Sequence, residues 1–145
     1  MKDQIRAQLL SEMGFSQKAI EILEQNLNMG IMDDPTITAQ YEGSCGDILM
    51  LALKINNNCI EDAMYEYIGC AGLQSCASAM TEMIKQKSID DLSNFKADDI
   101  VNYLGGIPES KYECAEIARN TLLTALNNFR KMNLTEKENS KFENV

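Results

Sequence analysis

The chain has 145 residues, 45% of them hydrophobic, and its 22 acidic and 13 basic residues give a formal net charge of −9. That length suits one hydrophobic core rather than two, so we expect a single domain. The negative charge would repel a phosphate backbone, which argues against nucleic acid as a partner. No apolar run approaches the roughly 20 residues that span a bilayer, and the first residues lack the layout of a secretory signal, so we expect a cytoplasmic protein with no membrane contact.

The side chains that could carry chemistry are few, because the chain has five cysteines and no histidine. Cysteines in a chain without an export signal are expected to be reduced thiols, and their odd number agrees with that. The absence of histidine removes the commonest general base near neutral pH and the commonest neutral metal ligand. Any chemistry must therefore rest on thiolates and carboxylates.

Hydrophobic spacing divides the first half of the chain into helices followed by strands. The predicted elements are helices over 3–13 and 17–29 and antiparallel strands over 37–42, 48–55 and 59–68. The link Asn56-Asn57-Asn58 suits a tight hairpin, because asparagine tolerates a positive φ angle better than most residues. These segments predict a three-stranded meander.

The second half of the chain is predicted to be helical, with helices over 73–85, 98–104 and 114–130. Together these elements indicate an α+β fold, in which a three-stranded antiparallel sheet packs against helices on one face. We place the single domain at 1–130, with an extra N-terminal helix at 1–14. The remaining residues, 131–145, are expected to be a flexible charged tail, because their apolar content is too low to offset the entropy of ordering.

Three cysteines lie where predicted elements meet. Cys45 lies between two strands, Cys70 lies at a junction of strand and helix, and Cys114 lies at the start of the last helix. A thiol at a helix N-terminus meets the positive end of the helix dipole, which lowers its pKa and favours the metal-binding thiolate. Asp47 could add a hard oxygen ligand to these soft sulfurs. Spacing alone leaves open the alternative that the cysteines are small packed core residues.

Four motifs in this chain follow the order and spacing of a known family. They are Gly43-Ser44-Cys45-Gly46-Asp47, Tyr67-Ile68-Gly69-Cys70-Ala71, Thr81-Glu82-Met83-Ile84-Lys85-Gln86-Lys87-Ser88 and Lys111-Tyr112-Glu113-Cys114. With these motifs the chain resembles the IscU/NifU-type iron–sulfur cluster assembly scaffold over residues 15–130. The resemblance implies the same fold, with the ligand loops gathered at one end of the sheet.

The resemblance also implies a function and a set of site residues. Cys45, Cys70 and Cys114 would bind a transient [2Fe-2S] cluster, and Asp47 would tune that cluster towards release. In this family sulfur arrives as persulfide from a cysteine desulfurase, and the cluster passes to apo iron–sulfur proteins. The implied protein is a scaffold and not an enzyme, either a monomer or a cluster-bridged homo-oligomer. Lys111 matches a family lysine and could lower the pKa of the thiols, or it could be a solvated surface residue.

The chain departs from the best-known bacterial members of this family near the third cysteine. Glu113 stands where they have a histidine, and its carboxylate could be a further, harder metal ligand. The stretch Ile107-Pro108-Glu109-Ser110-Lys111 lacks the second Pro and the Val of the loop that the Hsp70-type chaperone system recognises, which argues against chaperone-assisted release. Cys76, six residues after Cys70, is either a fourth thiolate or sulfur relay, or a small residue packed between helix and sheet.

Two other functions could use the same residues. One is a zinc-bound sulfur acceptor, a sulfurtransferase subunit that stimulates a cysteine desulfurase, with Zn²⁺ in place of the cluster. Relatives of that type carry an insertion between the second and third cysteines, whereas the interval from Cys70 to Cys114 is short, which favours the scaffold. The other is a protein–protein adaptor whose cysteines only pack.

Overall fold

The computed structural model describes the backbone of residues 2–143 and the side chains of residues 4–135. Helices flank a central run of three strands. In chain order the elements are α1 (Lys2–Glu12), α2 (Gln17–Gln25), β1 (Ile37–Glu42), β2 (Ile48–Asn56), β3 (Cys59–Ile68), α3 (Ala71–Ile84), α4 (Ala97–Leu104) and α5 (Tyr112–Glu143). A short 3-10 turn precedes α5. The predicted α+β class is confirmed.

The sheet is an antiparallel meander in the order β1-β2-β3. Gln40, Met50 and Glu66 are aligned across the three strands. The hairpin between β2 and β3 turns at Asn57 and Asn58, whose φ angles of 53° and 59° lie in the left-handed region that asparagine tolerates. The meander and its asparagine turn, both predicted from the sequence, are therefore confirmed.

One face of the sheet is buried beneath helices. Leu49, Leu51 and Leu53, which alternate along β2, are all at most 1% exposed, and α3 and α5 pack against the three strands. Tyr65 of β3 faces the same core, and its hydroxyl lies 2.6 Å from the hydroxyl of Ser78 in α3. Burial of every second residue agrees with the predicted packing of helices on one face of the sheet.

Helix α2 is shorter than the predicted span of 17–29. Ser16 caps its N-terminus, since the Ser16 hydroxyl oxygen accepts a backbone N–H of the first turn at 3.0 Å. The helix ends at Gln25 because Asn26 adopts a left-handed conformation with a φ angle of 48°, and its N–H bonds to the carbonyl of Leu23. Asn26, which lies inside the predicted span, therefore ends the helix.

Helix α1 forms where a helix is predicted over 3–13, but the apolar stripe predicted there is exposed. Ile5, Leu9 and Met13 are 58%, 55% and 55% exposed, whereas Leu10 is 6% exposed and joins the core. Helical spacing tells which residues share a face, but packing against α2 decides which face is buried. The stripe therefore lies on the surface.

Helix α5 continues beyond residue 130, where the domain is predicted to end. Where a flexible charged tail is expected from Lys131, the backbone remains helical to Glu143. The segment 131–143 contains no Gly or Pro to break a helix and is rich in helix-forming Lys, Glu, Met and Leu. The domain boundary at residue 130 stays a prediction, and residues 144 and 145 lie outside the described part of the chain. Over the described residues, no helix combines the length and the hydropathy needed to cross a membrane.

Candidate metal centre

The predicted site residues meet at one end of the sheet. Ile48 at the start of β2 pairs with Ile68 at the end of β3, so Asp47 and Cys70, the residues just outside these strand ends, come to the same edge. Cys70 is also the N-cap residue of α3. Cys114 comes from the first turn of α5, which packs against α3. Long-range strand pairing and helix packing together create this site.

Asp47, Cys70 and Cys114 form a compact group, which we call the three-donor cluster. One ligand atom from each residue lies within 4.8 Å of the others. The sulfurs of Cys70 and Cys114 are 3.8 Å apart, too far for a disulfide bond. Two sulfurs bound at about 2.3 Å to one tetrahedral zinc ion would be about 3.8 Å apart. Two soft sulfurs and one hard oxygen at these distances suit iron or zinc.

Cys45 lies outside the three-donor cluster, in the exposed turn between β1 and β2. Its sulfur is 3.8 Å from Oε2 of Glu113, and the hydroxyl of Ser44 donates a hydrogen bond to Oε1 of the same carboxylate. Glu113 therefore faces Cys45 and Ser44. The structure brings together three of the four predicted principal ligands and pairs the fourth with Glu113.

Two glycines of the quoted motifs position Asp47, a role that the sequence analysis did not assign. The N–H of Gly43 donates to the carbonyl of Asp47 at 2.8 Å, which closes the turn before β2. A Cβ atom at Gly69 would lie 3.1 Å from the carboxyl carbon of Asp47, tighter than most real contacts. Glycine at this position lets the carboxylate approach the backbone beside Cys70. In the sequence, the only indication of this role is that Gly43 and Gly69 belong to the motifs that contain Cys45 and Cys70.

The thiol of Cys70 has a lowered pKa. Partial burial on its own would raise that pKa, but several favourable interactions with the thiolate outweigh it. The backbone of Leu73 and Gly72 in the first turn of α3, the neighbouring thiol of Cys114 and the positive charge of Lys111 each favour the thiolate and lower its pKa. Cys70 is thus the more acidic thiol of the pair, as expected for a cysteine at a helix N-terminus.

The thiol of Cys114 has the opposite tendency. Burial raises its pKa most, and the negative charge of Cys70 raises it further, while Lys111 lowers it only in part. Cys114 is 5% exposed. A metal ion that binds both sulfurs must displace the protons that the thiols hold, and the raised pKa of Cys114 makes its proton the harder one to displace.

Lys111 lies against the start of α3, because a Cβ atom at Gly72 would be 3.0 to 3.1 Å from three of its side-chain carbons. We expect Lys111→Met to raise the pKa of Cys70, because the substitution removes the nearby positive charge and keeps the aliphatic packing. Alkylation of Cys70 followed by mass spectrometry over a pH series should give a curve shifted to higher pH. Lys87→Met, beyond the far end of α3, is the matched control. An unshifted curve in Lys111→Met would mean that Lys111 does not contribute to the lowered pKa of Cys70.

The two remaining cysteines are not part of the three-donor cluster. Cys76 is completely buried among core residues of α3, and burial raises its pKa to about 12. A thiol held neutral in this way is poorly suited to bind metal, which favours the packed-residue alternative for Cys76. Cys59 pairs with Asn56 at the start of β3 and has no site partner among the described residues.

The family model described as the NifU-like N-terminal domain matches residues 14–136 of this chain. The iron–sulfur cluster assembly scaffold protein IscU of Escherichia coli (strain K12) is 31% identical over 123 residues, which cover 81% of this chain and 95% of that protein. The scaffold protein IscU of Aquifex aeolicus is 30% identical over 118 residues, covering 79% and 75% of the two chains. The nitrogen fixation protein NifU of Trichormus azollae is 31% identical over 125 residues and 80% of this chain, but this chain spans only 42% of that longer protein.

Solved structures share the fold. The N-terminal part of a NifU-like protein from Brucella abortus superposes with a TM-score of 0.63 and 15% identity, covering 80% of this chain and 94% of that one. A candidate iron–sulfur cluster assembly scaffold of the SUF system from Fervidobacterium islandicum gives a TM-score of 0.63 and 21% identity, with 77% and 96% coverage. At such identities the likeness bears on the fold alone.

Proposed function

The chain belongs to the family of the NifU-like N-terminal domain, and from this premise we propose that it is an iron–sulfur cluster assembly scaffold. The family resemblance predicted from the four motifs is thereby confirmed. Relatives that match most of the chain are named as such scaffolds. The observation that carries this function to the present chain is the three-donor cluster, where one carboxylate and two sulfurs converge.

Iron and sulfur are the substrates of this function. The Cys70 thiolate offers the first soft ligand for iron, and Cys114 becomes a second thiolate as the metal displaces its proton. Asp47 supplies a hard oxygen, which anchors an iron–sulfur cluster more weakly than sulfur does. In this proposal Cys45 is the remaining ligand, and its turn must leave Glu113 to reach the metal. A site with one oxygen ligand and one exposed cysteine favours temporary holding over permanent storage.

The proposed cargo is a transient [2Fe-2S] cluster, with sulfur delivered by a cysteine desulfurase and the cluster passed on to apo iron–sulfur proteins. A scaffold has no turnover of its own, so we do not propose an enzyme. We propose that it acts as a monomer or as a homo-oligomer bridged by the cluster. Independence from the chaperone system and a cytoplasmic location remain predictions.

The zinc-bound sulfur acceptor is not favoured, because the similar proteins that cover most of the chain are named as iron–sulfur cluster assembly proteins. Zinc in place of the cluster is compatible with the same two sulfurs and carboxylate. Metal content and desulfurase turnover distinguish the two functions.

Anaerobic incubation with a cysteine desulfurase, cysteine and ferrous iron tests the proposal. We expect visible absorbance that bleaches in air, iron and sulfide bound in equal amounts, and transfer of both to an apo-ferredoxin. Protein that stays colourless, or that holds only zinc while greatly raising desulfurase turnover, would contradict the scaffold function.

A further inference from the structure

A carboxylate from α5 holds the turn that carries Cys45. The Ser44 hydroxyl donates to Oε1 of Glu113 and the Cys45 thiol donates to Oε2, at 3.8 Å. We call this pair of contacts the Glu113 latch. Backbone hydrogen bonds from Gly43 to Asp47 and from Gly46 to Gly43 close the turn. The side chains at its tip are exposed, and apart from its neighbour Ser44 the described residues offer the Cys45 side chain no hydrogen-bond partner but Glu113. The latch is therefore the contact that orients Cys45.

Cys45 contacts the residue that precedes Cys114 in the chain, but it lies outside the three-donor cluster. Glu113 is the chain neighbour of Cys114, whose sulfur belongs to the three-donor cluster, yet Cys45 is not a member of that cluster. We propose that Glu113 is a positioning residue, which together with Ser44 holds Cys45 apart from the three-donor cluster until metal binds there. This inference rests on the proposed function, because it concerns how the last ligand joins the site.

The latch and direct metal binding by Glu113 predict opposite effects. If Glu113 is a ligand, its removal weakens metal binding. If it is a positioning residue, its removal frees Cys45, the binding-competent conformation becomes more populated, and metal binds more tightly. Loss of a negative charge would by itself weaken cation binding, so tighter binding could not arise from charge. Ser44→Ala removes one latch contact and leaves every charge and every candidate ligand in place.

Anaerobic titration with Co²⁺ measures both the affinity and, from the intensity of the sulfur-to-cobalt absorption, the number of bound thiolates. We expect Glu113→Ala to tighten cobalt binding about threefold to tenfold. Breaking hydrogen bonds of this strength would raise the population of the binding-competent conformation by about that factor. Ser44→Ala should act in the same direction and less strongly. In a Cys45→Ser background neither substitution should tighten binding, because the residue that they release is gone; Glu113→Ala should then show only the weakening that follows from the lost charge.

Weaker binding in Glu113→Ala would overturn the inference, because it would show that the carboxylate aids metal binding through its charge or as a ligand. Equal tightening in the Cys45→Ser background would overturn it as well. A wild-type protein that binds neither cobalt nor iron would instead contradict the proposed function. The contacts of the Glu113 latch can then be tested by hydrogen exchange in the protein without metal. In the unloaded protein, Glu113→Ala and Ser44→Ala should speed amide hydrogen exchange over residues 43–47. Unchanged exchange there would overturn the latch.

Discussion

Cys70→Ser is expected to abolish cluster assembly. Cys70 supplies the lowered-pKa thiolate of the three-donor cluster, and a serine hydroxyl cannot replace a soft thiolate for iron. After anaerobic reconstitution, we expect bound iron and sulfide near background and an affinity for Co²⁺ lowered by more than about 100-fold, beyond the loss usual for residues that only support a ligand. Iron and sulfide analysis and visible absorption measure the result.

The matched control for this substitution is Cys59→Ser. Cys59 is also partly buried and also borders an element end, but it lies outside the three-donor cluster. We expect it to assemble as much cluster as the wild type. If Cys70→Ser also retained full iron and sulfide, the cysteines would only pack, and the protein–protein adaptor would become the better explanation.

The free energy of unfolding is expected to fall steeply above pH 9. Burial raises the pKa of Cys76 from 9.0 to about 12 and that of Tyr65 from 10.0 to about 12, and it also raises the pKa of Cys114. The unfolded chain loses these protons first, so rising pH favours the unfolded state from the unfolded pKa values up to the folded ones. Below pH 9 this contribution to stability is fully present. Between its unfolded and folded pKa values, each such group lowers the free energy of unfolding by about 1.4 kcal/mol per pH unit.

Cys76→Ala isolates one of these protons. Urea unfolding at pH 9 and pH 11, with a reductant present, should show a loss of stability that is about 2 to 3 kcal/mol smaller in Cys76→Ala than in the wild type. Cys59→Ala should lose as much stability as the wild type between these two pH values. An equal loss in Cys76→Ala would mean that the Cys76 thiol already ionises in the folded protein.

Local signals were enough to predict the sheet. The apolar run over 48–55 and the asparagines at positions 57 and 58 are properties of a few neighbouring residues, and the structure forms the predicted strand and hairpin turn there. The surface stripe of α1 could not be predicted in the same way. The spacing of Ile5 and Leu9 defines a face, but only contacts with distant residues make Leu10, and not that face, part of the core.

The same distinction applies to the candidate site. The predicted helix starts indicated Cys70 and Cys114 as metal ligands, and the motif around Cys45 indicated Asp47 as a third. In the structure these three residues converge. The position of Cys45 depends on a contact with Glu113, 68 residues further along the chain. Nothing in the local sequence of a turn reveals such a contact, because the chain must first bring α5 beside the sheet.

The 3.8 Å between the sulfurs of Cys70 and Cys114 also makes the site a vicinal dithiol. A thiolate next to a thiol is the arrangement from which a disulfide forms when an oxidant removes two electrons. In air we therefore expect an unloaded chain to cross-link its own site, and a reductant to reopen it. A metal bound to both sulfurs occupies the electron pairs that oxidation would use. The cargo would thus protect the two sulfurs that hold it for as long as it stays bound.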